Sequence, residues 1–313
     1  MRIVVTGALG HIGSRVINDL PNLFSNMKIV MIDNMLTQRY PSLFSLSEKG
    51  RYCFKEADVT CTDLNTLIDG SSAVLHLAAI TDATRSFENS EQVENVNYNA
   101  TVRVAEACKE TNVPMIHLSS TSVYGTQKEV VDENCTEEEL QPQSPYAKTK
   151  LKEEDFLMQL GKSNEFRFII CRFGTIYGVS PGIRFHTAVN KFCWQAVLGQ
   201  PLTVWRTALY QKRPYLDLSD AVSAIAHIIR KDLFDNNTYN VLTENLTVKD
   251  ITDSIRRYVP DLNIEFVDTP IMNQLSYEVL NAKFKKTEFD FNGNIDEGIR
   301  NTIRLLGRLN VTK

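Results

Sequence analysis

A glycine-rich segment near the N-terminus constrains the fold of this chain more than any other feature. Gly7, Gly10 and Gly13 have the spacing GxxGxxG and follow a short apolar run. They open the helical pattern of Ile12–Leu20, which we expect Pro21 to end. A turn without side chains lets backbone N–H groups and a helix N-terminus approach a pyrophosphate. The segment therefore predicts a strand, a phosphate-binding turn and a helix; an ordinary glycine turn is the alternative.

An acidic residue at the end of the second apolar run makes the phosphate-binding interpretation more specific. Asp33 closes the run Lys28–Ile32 and stands 20 residues after Gly13. A carboxylate at this point accepts hydrogen bonds from the ribose hydroxyls of adenosine and repels a 2′-phosphate. The nearest arginine that follows is Arg39. These features predict that the chain binds NAD in preference to NADP.

A second carboxylate follows a short run that fits a third strand. Asp58 precedes Val59 in this position, where its side chain could reach the adenine amino group. The alternative is that Asp58 caps a helix near Thr62–Leu67.

Apolar runs and helix-spaced stretches alternate up to about residue 174. Such alternation predicts βαβ units and a parallel sheet that is covered on both faces. Beyond residue 174 the strands become short and Gly, Pro and aromatic residues more frequent. We expect an NAD-binding domain over residues 1–173 and a mainly substrate-binding domain over 174–313, with part of 218–245 returning to the first. The predicted strands are Ile3–Thr6, Lys28–Ile32, Ala73–Ala78, Pro114–Leu118 and Phe166–Arg172, and the later helices are Val93–Lys109, Tyr146–Leu160, Ser219–Ile229 and Val248–Tyr258.

Charge and composition exclude several classes of protein. The net charge is −4 over 313 residues and no basic stripe is present, which argues against a nucleic-acid partner. No apolar run reaches the length of about 18 residues that a membrane span requires. The six cysteines form no CxxC pair, so we predict reduced thiols and no metal site. With no secretory signal pattern at the start, we expect a cytoplasmic protein.

Tyr146 and Lys150 form the candidate catalytic pair. They stand at positions i and i+4 of a predicted helix, where two side chains share one face. A nearby ammonium stabilises a phenolate and lowers the pKa of a tyrosine, which is otherwise a poor base at neutral pH. Such a phenolate could remove a hydroxyl proton while hydride leaves the same carbon for a nicotinamide. The alternative is a surface tyrosine beside a solvated lysine.

A hydroxyl-rich segment strengthens the catalytic interpretation. Residues 117–125, HLSSTSVYG, follow a predicted strand and precede Tyr146 by about 25 residues. A hydroxyl at the end of that strand could bind the reacting oxygen. The turn, the hydroxyl and the tyrosine–lysine pair in this order predict an active site more firmly than any one of them.

Together these motifs identify a resemblance to a known family. The chain resembles the extended short-chain dehydrogenase/reductase family, in its NAD-dependent nucleotide-sugar epimerase/dehydratase branch. The motifs TGALGHIGS, MIDN, ADVT, HLAA, NVNYNAT, HLSSTSVYG, YAKTK, RFGTIYG and QKRPYLDLSDA occur in the family's order. The resemblance covers nearly the whole chain and implies a Rossmann-type doubly wound parallel sheet, an α/β fold, with a smaller C-terminal substrate-binding domain.

The resemblance also implies roles for matching residues. Catalysis would depend on Tyr146 as the base, on Lys150 and on Ser120. The implied cofactor site comprises Gly7, Gly10, His11, Ile12, Gly13, Asp33, Asn34, Asp58, Val59, Leu77, Ala78, Ala79, Asn97, Tyr146 and Lys150. The expected substrate site comprises Thr81, Ser120, Thr121, Tyr146, Thr175, Arg184 and Arg213.

Departures from the family pattern concern the substrate. Thr121 and Ser122 occupy the places where the 4,6-dehydratases of the family carry an Asp-Glu pair that expels water. Because neither hydroxyl can act as a carboxylic acid, dehydration by that route is disfavoured. Thr175 stands where many 4-epimerases have a sugar-binding asparagine. Further departures are at Ala100, at Asp217 and in Trp205–Tyr210.

The sequence as a whole predicts a nucleotide-sugar epimerase that oxidises the sugar transiently at C4, in the manner of UDP-glucose 4-epimerase. A dehydratase, a decarboxylase or a net oxidoreductase acting on a related nucleoside-diphosphate sugar is the alternative. A non-catalytic NAD-binding protein is a remote alternative, since such relatives usually lack the tyrosine–lysine pair. The resemblance implies a homodimer formed through the helices that include Asn97–Lys109 and Tyr146–Leu160. The motifs specify neither the base nor the sugar.

Overall fold

Strands and helices alternate along the first half of the chain. The structure is a computed structural model that describes residues 1–81, 90–125, 128–136, 138–163, 165–268 and 276–307. Its strands are β1 (Arg2–Thr6), β2 (Lys28–Asp33), β3 (Arg51–Glu56), β4 (Ala73–His76), β5 (Met115–Ser120), β6 (Val130–Val131), β7 (Phe168–Phe173), β8 (Thr175–Tyr177), β9 (Leu202–Trp205), β10 (Lys212–Asp217), β11 (Asn237–Val241), β12 (Glu244–Thr247), β13 (Ile264–Val267) and β14 (Glu278–Val279). Its helices are α1 (His11–Leu23), α2 (Leu64–Ile68), α3 (Ser90–Glu110), α4 (Pro145–Leu160), α5 (Ala188–Val197), α6 (Leu218–Lys231), α7 (Val248–Tyr258), α8 (Ala282–Lys285) and α9 (Ile295–Leu306).

Seven strands form one parallel sheet in the order β3–β2–β1–β4–β5–β7–β11. The order runs outward in both directions from β1 and β4, which is the doubly wound arrangement. The predicted α/β fold with a parallel sheet is thus confirmed. Because parallel strands all end at one edge, the residues that follow β1, β2, β4 and β5 meet there.

Alternation along each strand builds a separate core on each face of the sheet. Ile3 and Val5 of β1 belong to the core covered by α1 and α6. Val4, between them, belongs to the core covered by α3 and α4. Successive strand residues point to opposite faces, so a strand that is buried on both sides reads as a continuous apolar run.

The first helix continues past the proline that was expected to end it. α1 runs from His11 to Leu23 with Pro21 inside, so this expectation was wrong. Pro21 lacks the N–H that would bond to the carbonyl of Ile17, four residues earlier. The hydroxyl of Tyr52, on β3, donates to that carbonyl at 3.2 Å instead. A tertiary contact therefore satisfies the group that the proline leaves without an intrahelical donor.

The later part of the chain divides its elements between two places. β12, β10 and β8 form a three-stranded sheet, and β9 pairs with β13. Helices α5, α7 and α9 pack together over a third core that includes Ile251 and Ile299. In contrast, β11 extends the large sheet beside β7 and α6 packs against α1. A boundary at residue 173 stays a prediction.

No helix in the described ranges combines the length and apolarity needed to cross a membrane. All six cysteines lie in these ranges as free thiols.

A buried ion pair joins α4 to the large sheet. Arg172 of β7 donates to the Glu154 carboxylate from Nε and from Nη2, the latter at 2.6 Å. Ser119 donates to the same carboxylate, and Arg172 also donates to the hydroxyl of Tyr124 at 2.9 Å. Both charged side chains are less than one tenth exposed. Because both charged groups are buried away from water, each depends on the other for electrostatic compensation.

We expect Glu154→Gln to lower the free energy of unfolding by about 3 kcal/mol, because it leaves the Arg172 charge buried without a counter-charge. Urea unfolding followed by circular dichroism measures the change. Glu94→Gln is the control, since Glu94 pairs with Lys152 on the surface and exposed pairs add little. Equal losses in the two variants would contradict this account.

Candidate active site

A cavity of about 420 Å³ lies at the carboxyl edge of the large sheet. It collects residues that are far apart in the chain, from the glycine turn to the segment before α5. Eighteen predicted site residues line it: Gly7, Gly10, His11, Ile12, Gly13, Asp33, Asn34, Asp58, Val59, Leu77, Ala78, Ala79, Thr81, Ser120, Tyr146, Lys150, Thr175 and Arg184. The predicted residues Asn97, Thr121 and Arg213 are outside this lining.

The glycine turn has no room for side chains. Gly7 has φ +63°, and a Cβ there would lie 2.7 Å from the backbone nitrogen of Ala78, after β4. A Cβ on Gly13 would lie 2.5 Å from the carbonyl oxygen of Gly7. Helix α1 begins directly after Gly10, so its first N–H groups face the cavity. The turn thus fits a pyrophosphate at a helix N-terminus.

The ends of β2 and β3 supply two carboxylates to the cavity. Asp33 accepts from the backbone N–H of Leu9 and of Met35, each at 3.0 Å. Asp58 accepts from the Thr60 hydroxyl at 2.6 Å, which together with the amide of Asn34 holds its pKa below the ordinary value. Both carboxylates line the cavity, and their contacts with the adenosine hydroxyls and the adenine edge stay a prediction. The cap of α2 is Asp63, so the capping alternative for Asp58 was wrong.

Arg39 reaches the cavity although it is six positions beyond Asp33 in the chain. Its guanidinium donates to the carbonyl of Gly182, and burial followed by the charge of Arg184 lowers its pKa. The spacing of residues in the sequence did not predict that an arginine would line the cavity together with Asp33. The contact with residue 182 is what brings Arg39 there.

Helix α4 carries the tyrosine–lysine pair. Ser144 caps the helix by accepting from the N–H of Ala147 at 3.1 Å, and Pro145 occupies the first turn. Tyr146 and Lys150 both line the cavity, with the lysine nitrogen 6.0 Å from the centre of the tyrosine ring. Burial raises the pKa of Tyr146, and the Lys150 charge opposes that rise. The lysine therefore favours the phenolate that a proton abstraction requires.

Ser120 and Ser122 present a pair of hydroxyls to the cavity that Tyr146 also lines. Ser120, at the end of β5, accepts from the N–H of Ser122 at 3.1 Å, and the two hydroxyl oxygens are 2.8 Å apart. Both residues line the cavity. Thr121, between them, points inward and donates to the carbonyl of Phe173 at 3.2 Å. Sequence reasoning did not include Ser122 among the site residues, although alternation about Ser120 is a signal for it.

The other two predicted residues that lie outside the lining have protein partners of their own. Asn97 accepts from the N–H of Ile80 at 2.7 Å and donates to its carbonyl at 2.9 Å. Asn97 therefore fixes the backbone conformation of the segment after β4, which runs along the cavity. Arg213 lies over the ring of Tyr277 at 5.2 Å and donates to the carbonyl of Lys212 at 2.8 Å.

A segment from the second half of the chain covers the glycine turn. Gly182 donates its N–H to the Ser14 hydroxyl at 2.9 Å, and a Cβ on it would lie 2.4 Å from the carbonyl oxygen of Leu9. Nδ1 of His11 lies 2.8 Å from the Ser180 hydroxyl. Burial and then the charge of Arg39 lower the pKa of His11 to about 3, so its ring is neutral at physiological pH. The segment around Gly182 is thus packed backbone against backbone on the glycine turn.

The same segment brings Arg184 to the cavity. Arg184 donates to the hydroxyl of Thr81, and Thr175 of β8 lines the same cavity. His186 also lines the cavity. Among the described lining residues, the only carboxylates are Asp33 and Asp58, which follow β2 and β3 in the chain.

Comparison with known proteins places this geometry in a family. The model of the NAD-dependent epimerase/dehydratase family matches residues 3–241. The chain is 31% identical over 253 residues to the uncharacterized UDP-glucose epimerase YtcB of Bacillus subtilis, covering 77% of this chain and 76% of that protein. It is 30% identical to the trifunctional UDP-glucose 4,6-dehydratase, 3,5-epimerase and reductase RHM3 of Arabidopsis thaliana, over 96% of this chain and 46% of that protein. The chain therefore spans about half the length of that relative.

A solved structure has the same fold over nearly its full length. The UDP-glucuronic acid 4-epimerase of Bacillus cereus, crystallised with UDP-glucuronic acid and NAD, superposes with a TM-score of 0.86. The alignment covers 98% of this chain and 99% of that one at 24% identity. At this identity the likeness shows the fold.

We expect Gly13→Ala to raise the Kd for NAD at least about tenfold, a loss of about 1.4 kcal/mol, because the new methyl group would displace the Gly7 carbonyl. Fluorescence titration of nucleotide-free protein with NAD measures the change. Gly10→Ala is the graded control, since a Cβ there would lie 3.3 Å from the same oxygen and should weaken binding less. Equal effects would contradict a steric cause.

Proposed function

Because the chain belongs to the NAD-dependent epimerase/dehydratase family, we propose that it is a nucleotide-sugar epimerase that inverts C4 of the sugar by transient oxidation. The observation that carries the proposal is the shared cavity. Tyr146 and Lys150 line the same cavity as Ser120 at the end of β5, and as Asp33 at the end of β2. Three strand spacings separate those two strand ends, which amounts to about 14 Å. That span accommodates an extended dinucleotide between its two recognition points.

Tyr146 is the proposed base and acid of the reaction. Its phenolate takes the proton of the sugar hydroxyl during oxidation and returns a proton when the ketone is reduced. Lys150 keeps a positive charge beside the phenolate, and Ser120 donates a hydrogen bond to the reacting oxygen. Bound NAD, the family's cofactor, supplies the hydride acceptor for the first half of the cycle and the donor for the second. Inversion requires only that hydride return to the other face of the sugar.

The substrate is proposed to be a nucleoside-diphosphate sugar. Ser122, Thr175 and Thr81 offer hydroxyls to the sugar where the cavity meets the second half of the chain. Arg184 is the lining residue suited to a charge-assisted hydrogen bond with a phosphate or another anionic group. Arg213 stays a predicted ligand of the diphosphate on the family resemblance alone.

A 4,6-dehydratase is the second candidate, because RHM3 carries that name among the relatives. Dehydration needs an acid beside the tyrosine to protonate the leaving hydroxyl. The hydroxyls of Thr121 and Ser122 stand at the positions concerned, and the described carboxylates of the cavity are at the other end. This arrangement favours epimerisation. A decarboxylase or a net oxidoreductase would begin with the same oxidation and differ in its products.

We also propose a homodimer formed through α3 and α4, as the family resemblance implies. Analytical ultracentrifugation of the purified protein measures the mass directly. A monomer across micromolar concentrations would contradict this assembly.

The protein as purified tests the proposed reaction. We expect denaturation to release NAD that mass spectrometry identifies, and UDP-glucose or UDP-glucuronic acid to turn over without added NAD. Proton NMR would then show the C4 epimer and no accumulation of NADH. Stoichiometric NADH would identify a net oxidoreductase, carbon dioxide a decarboxylase, and a 4-keto-6-deoxy sugar a dehydratase.

We expect Tyr146→Phe to lower kcat about 10³-fold, the usual contribution of general acid–base catalysis, and to leave bound NAD in place. NMR of the product over time measures the rate. Tyr210→Phe is the matched control, since this exposed side chain does not line the cavity. Unchanged turnover in Tyr146→Phe would overturn the mechanism for any sugar.

A further inference from the structure

A buried carboxylate lies behind the catalytic lysine. We propose that Glu153 is a positioning residue that holds the ammonium of Lys150 and, through its charge, adjusts the ionisation of Tyr146. The inference rests on the proposed function, because it assigns a role within the tyrosine–lysine mechanism.

The contact between the two side chains is direct and dry. Lys150 Nζ donates to Oε2 of Glu153 at 2.8 Å, one turn further along α4. Lys150 is 4% exposed and Glu153 is fully buried. A charged pair in such a place has lost its hydration, which its mutual attraction only partly offsets. Replacing both charged side chains by apolar ones of similar volume is often neutral or stabilising, whereas removing one partner alone leaves a buried charge without compensation.

Glu153 is held from three elements at once. Besides Lys150 of α4, the hydroxyl of Thr101 on α3 donates to Oε2 at 3.1 Å. Nε2 of His117, on β5, lies 3.2 Å from the same oxygen. The carboxylate therefore has a fixed position relative to the sheet edge, and the lysine nitrogen that it binds has one as well.

The cluster continues toward the cofactor path. Thr101 lies 3.2 Å from Nε2 of His76, whose Nδ1 lies 2.8 Å from the hydroxyl of Thr6. That hydroxyl accepts from the N–H groups of Leu77 and Ala78, each at 3.2 Å. The lysine is thus linked by polar contacts to the backbone against which the glycine turn packs.

Unsatisfied polar atoms argue that this cluster does not serve stability. Among the described residues, Oε1 of Glu153 has no hydrogen-bond partner, and neither ring nitrogen of His117 has one with acceptable geometry. Buried polar atoms without partners destabilise a fold. They adjoin a residue of the proposed active site, where a destabilising arrangement can be retained for function.

The number of N–H donors on Lys150 explains how Glu153 can orient its ammonium toward the cavity. An ammonium has three N–H donors. One is taken by Glu153 on the inner side, which leaves two for the cavity that Lys150 lines. Without the carboxylate, this long side chain would have several rotamers and no fixed direction.

The negative charge of Glu153 also affects the pKa values of Lys150 and Tyr146. Burial would lower the pKa of Lys150, but the Glu153 carboxylate raises it above the ordinary value and keeps the ammonium charged. Burial raises the pKa of Tyr146, Lys150 lowers it, and the negative charge of Glu153 raises it again. Burial would raise the pKa of Glu153, but the charge of Lys150 holds it near 2.

Apart from Arg184, the other ionisable groups around the pair are compensated or neutral. Arg184 faces Tyr146 and lowers its pKa, whereas Glu154 lies next to Lys150 but is paired with Arg172. Burial lowers the pKa of both neighbouring histidines, that of His76 to about 3, so both are neutral at the pH of catalysis. Removal of the Glu153 charge should therefore change the pKa values of Tyr146 and Lys150.

The test is the pH profile of kcat in a graded series. The acid limb reports the tyrosine, which must be deprotonated, and the basic limb reports the lysine, which must be charged. Glu153→Gln removes a charge that raises both pKa values, so both limbs should move to lower pH. Glu153→Asp keeps the charge but withdraws it from Lys150, so its limbs should lie between those of the other two proteins.

Glu154→Gln is the matched control. It alters the neighbouring buried carboxylate and costs stability, but it leaves the Lys150–Glu153 contact in place. Its limbs should move less than those of Glu153→Gln, because Glu154 raises the pKa of Lys150 less than Glu153 does. A merely structural Glu153 would lower the rate without moving the limbs further than this control does. Unmoved limbs in folded Glu153→Gln, or in Glu153→Asp if only that variant folds, would overturn the inference.

Titration of the phenolate separates this inference from the proposed function. The ultraviolet difference between each protein and its Tyr146→Phe counterpart follows Tyr146 alone and needs no turnover. A shift of that titration to lower pH in Glu153→Gln is expected. If Tyr146→Phe keeps full turnover, the proposed mechanism fails and the positioning role fails with it. If Tyr146→Phe is inactive but the titration stays unmoved, only the inference about Glu153 fails.

Discussion

The close approach of the glycine turn to the segment after β4 is the contact on which the site depends. Gly7 has a backbone conformation and a distance to Ala78 that exclude any side chain. Because β1 and β4 are neighbours at the centre of the sheet, this contact sets where α1 begins and where the cofactor path runs. N–H groups of the same backbone donate to Thr6, at the end of the polar cluster that extends from Lys150. The glycine turn and the surroundings of Lys150 therefore share one structural contact.

The second half of the chain completes the site by packing on that turn. Gly182 contacts the carbonyl oxygens of the turn, and the segment around it carries Arg184 and His186 to the cavity. Meanwhile β11 and α6 return to the large sheet, so that the two halves are joined at several places.

Buried charge is concentrated along one helix. At two successive positions of α4, Glu153 binds Lys150 and Glu154 binds Arg172 of the sheet. Adjacent helix residues point in different directions, so the two carboxylates serve different surroundings. The first lies in a cluster with unsatisfied atoms, and the second lies in a well-bonded ion pair. Position 154 thus serves the packing of α4 on the sheet, and position 153 lies where it can act on the reaction.

The sequence by itself determined the order of elements, the phosphate-binding turn, the acidic residue after β2 and the tyrosine–lysine pair. These depend on local properties, namely the conformational freedom of glycine, strand alternation and the helical spacing of i and i+4. Only the tertiary structure decided that α1 passes through Pro21, that Arg39 and His186 reach the cavity, and that Thr121 and Asn97 turn away from it. It also decided that Glu153, which spacing alone places on the helix, is buried behind Lys150. Each of these outcomes depends on a partner distant in the chain, such as Tyr52 for Pro21, and local patterns do not encode which distant groups will meet.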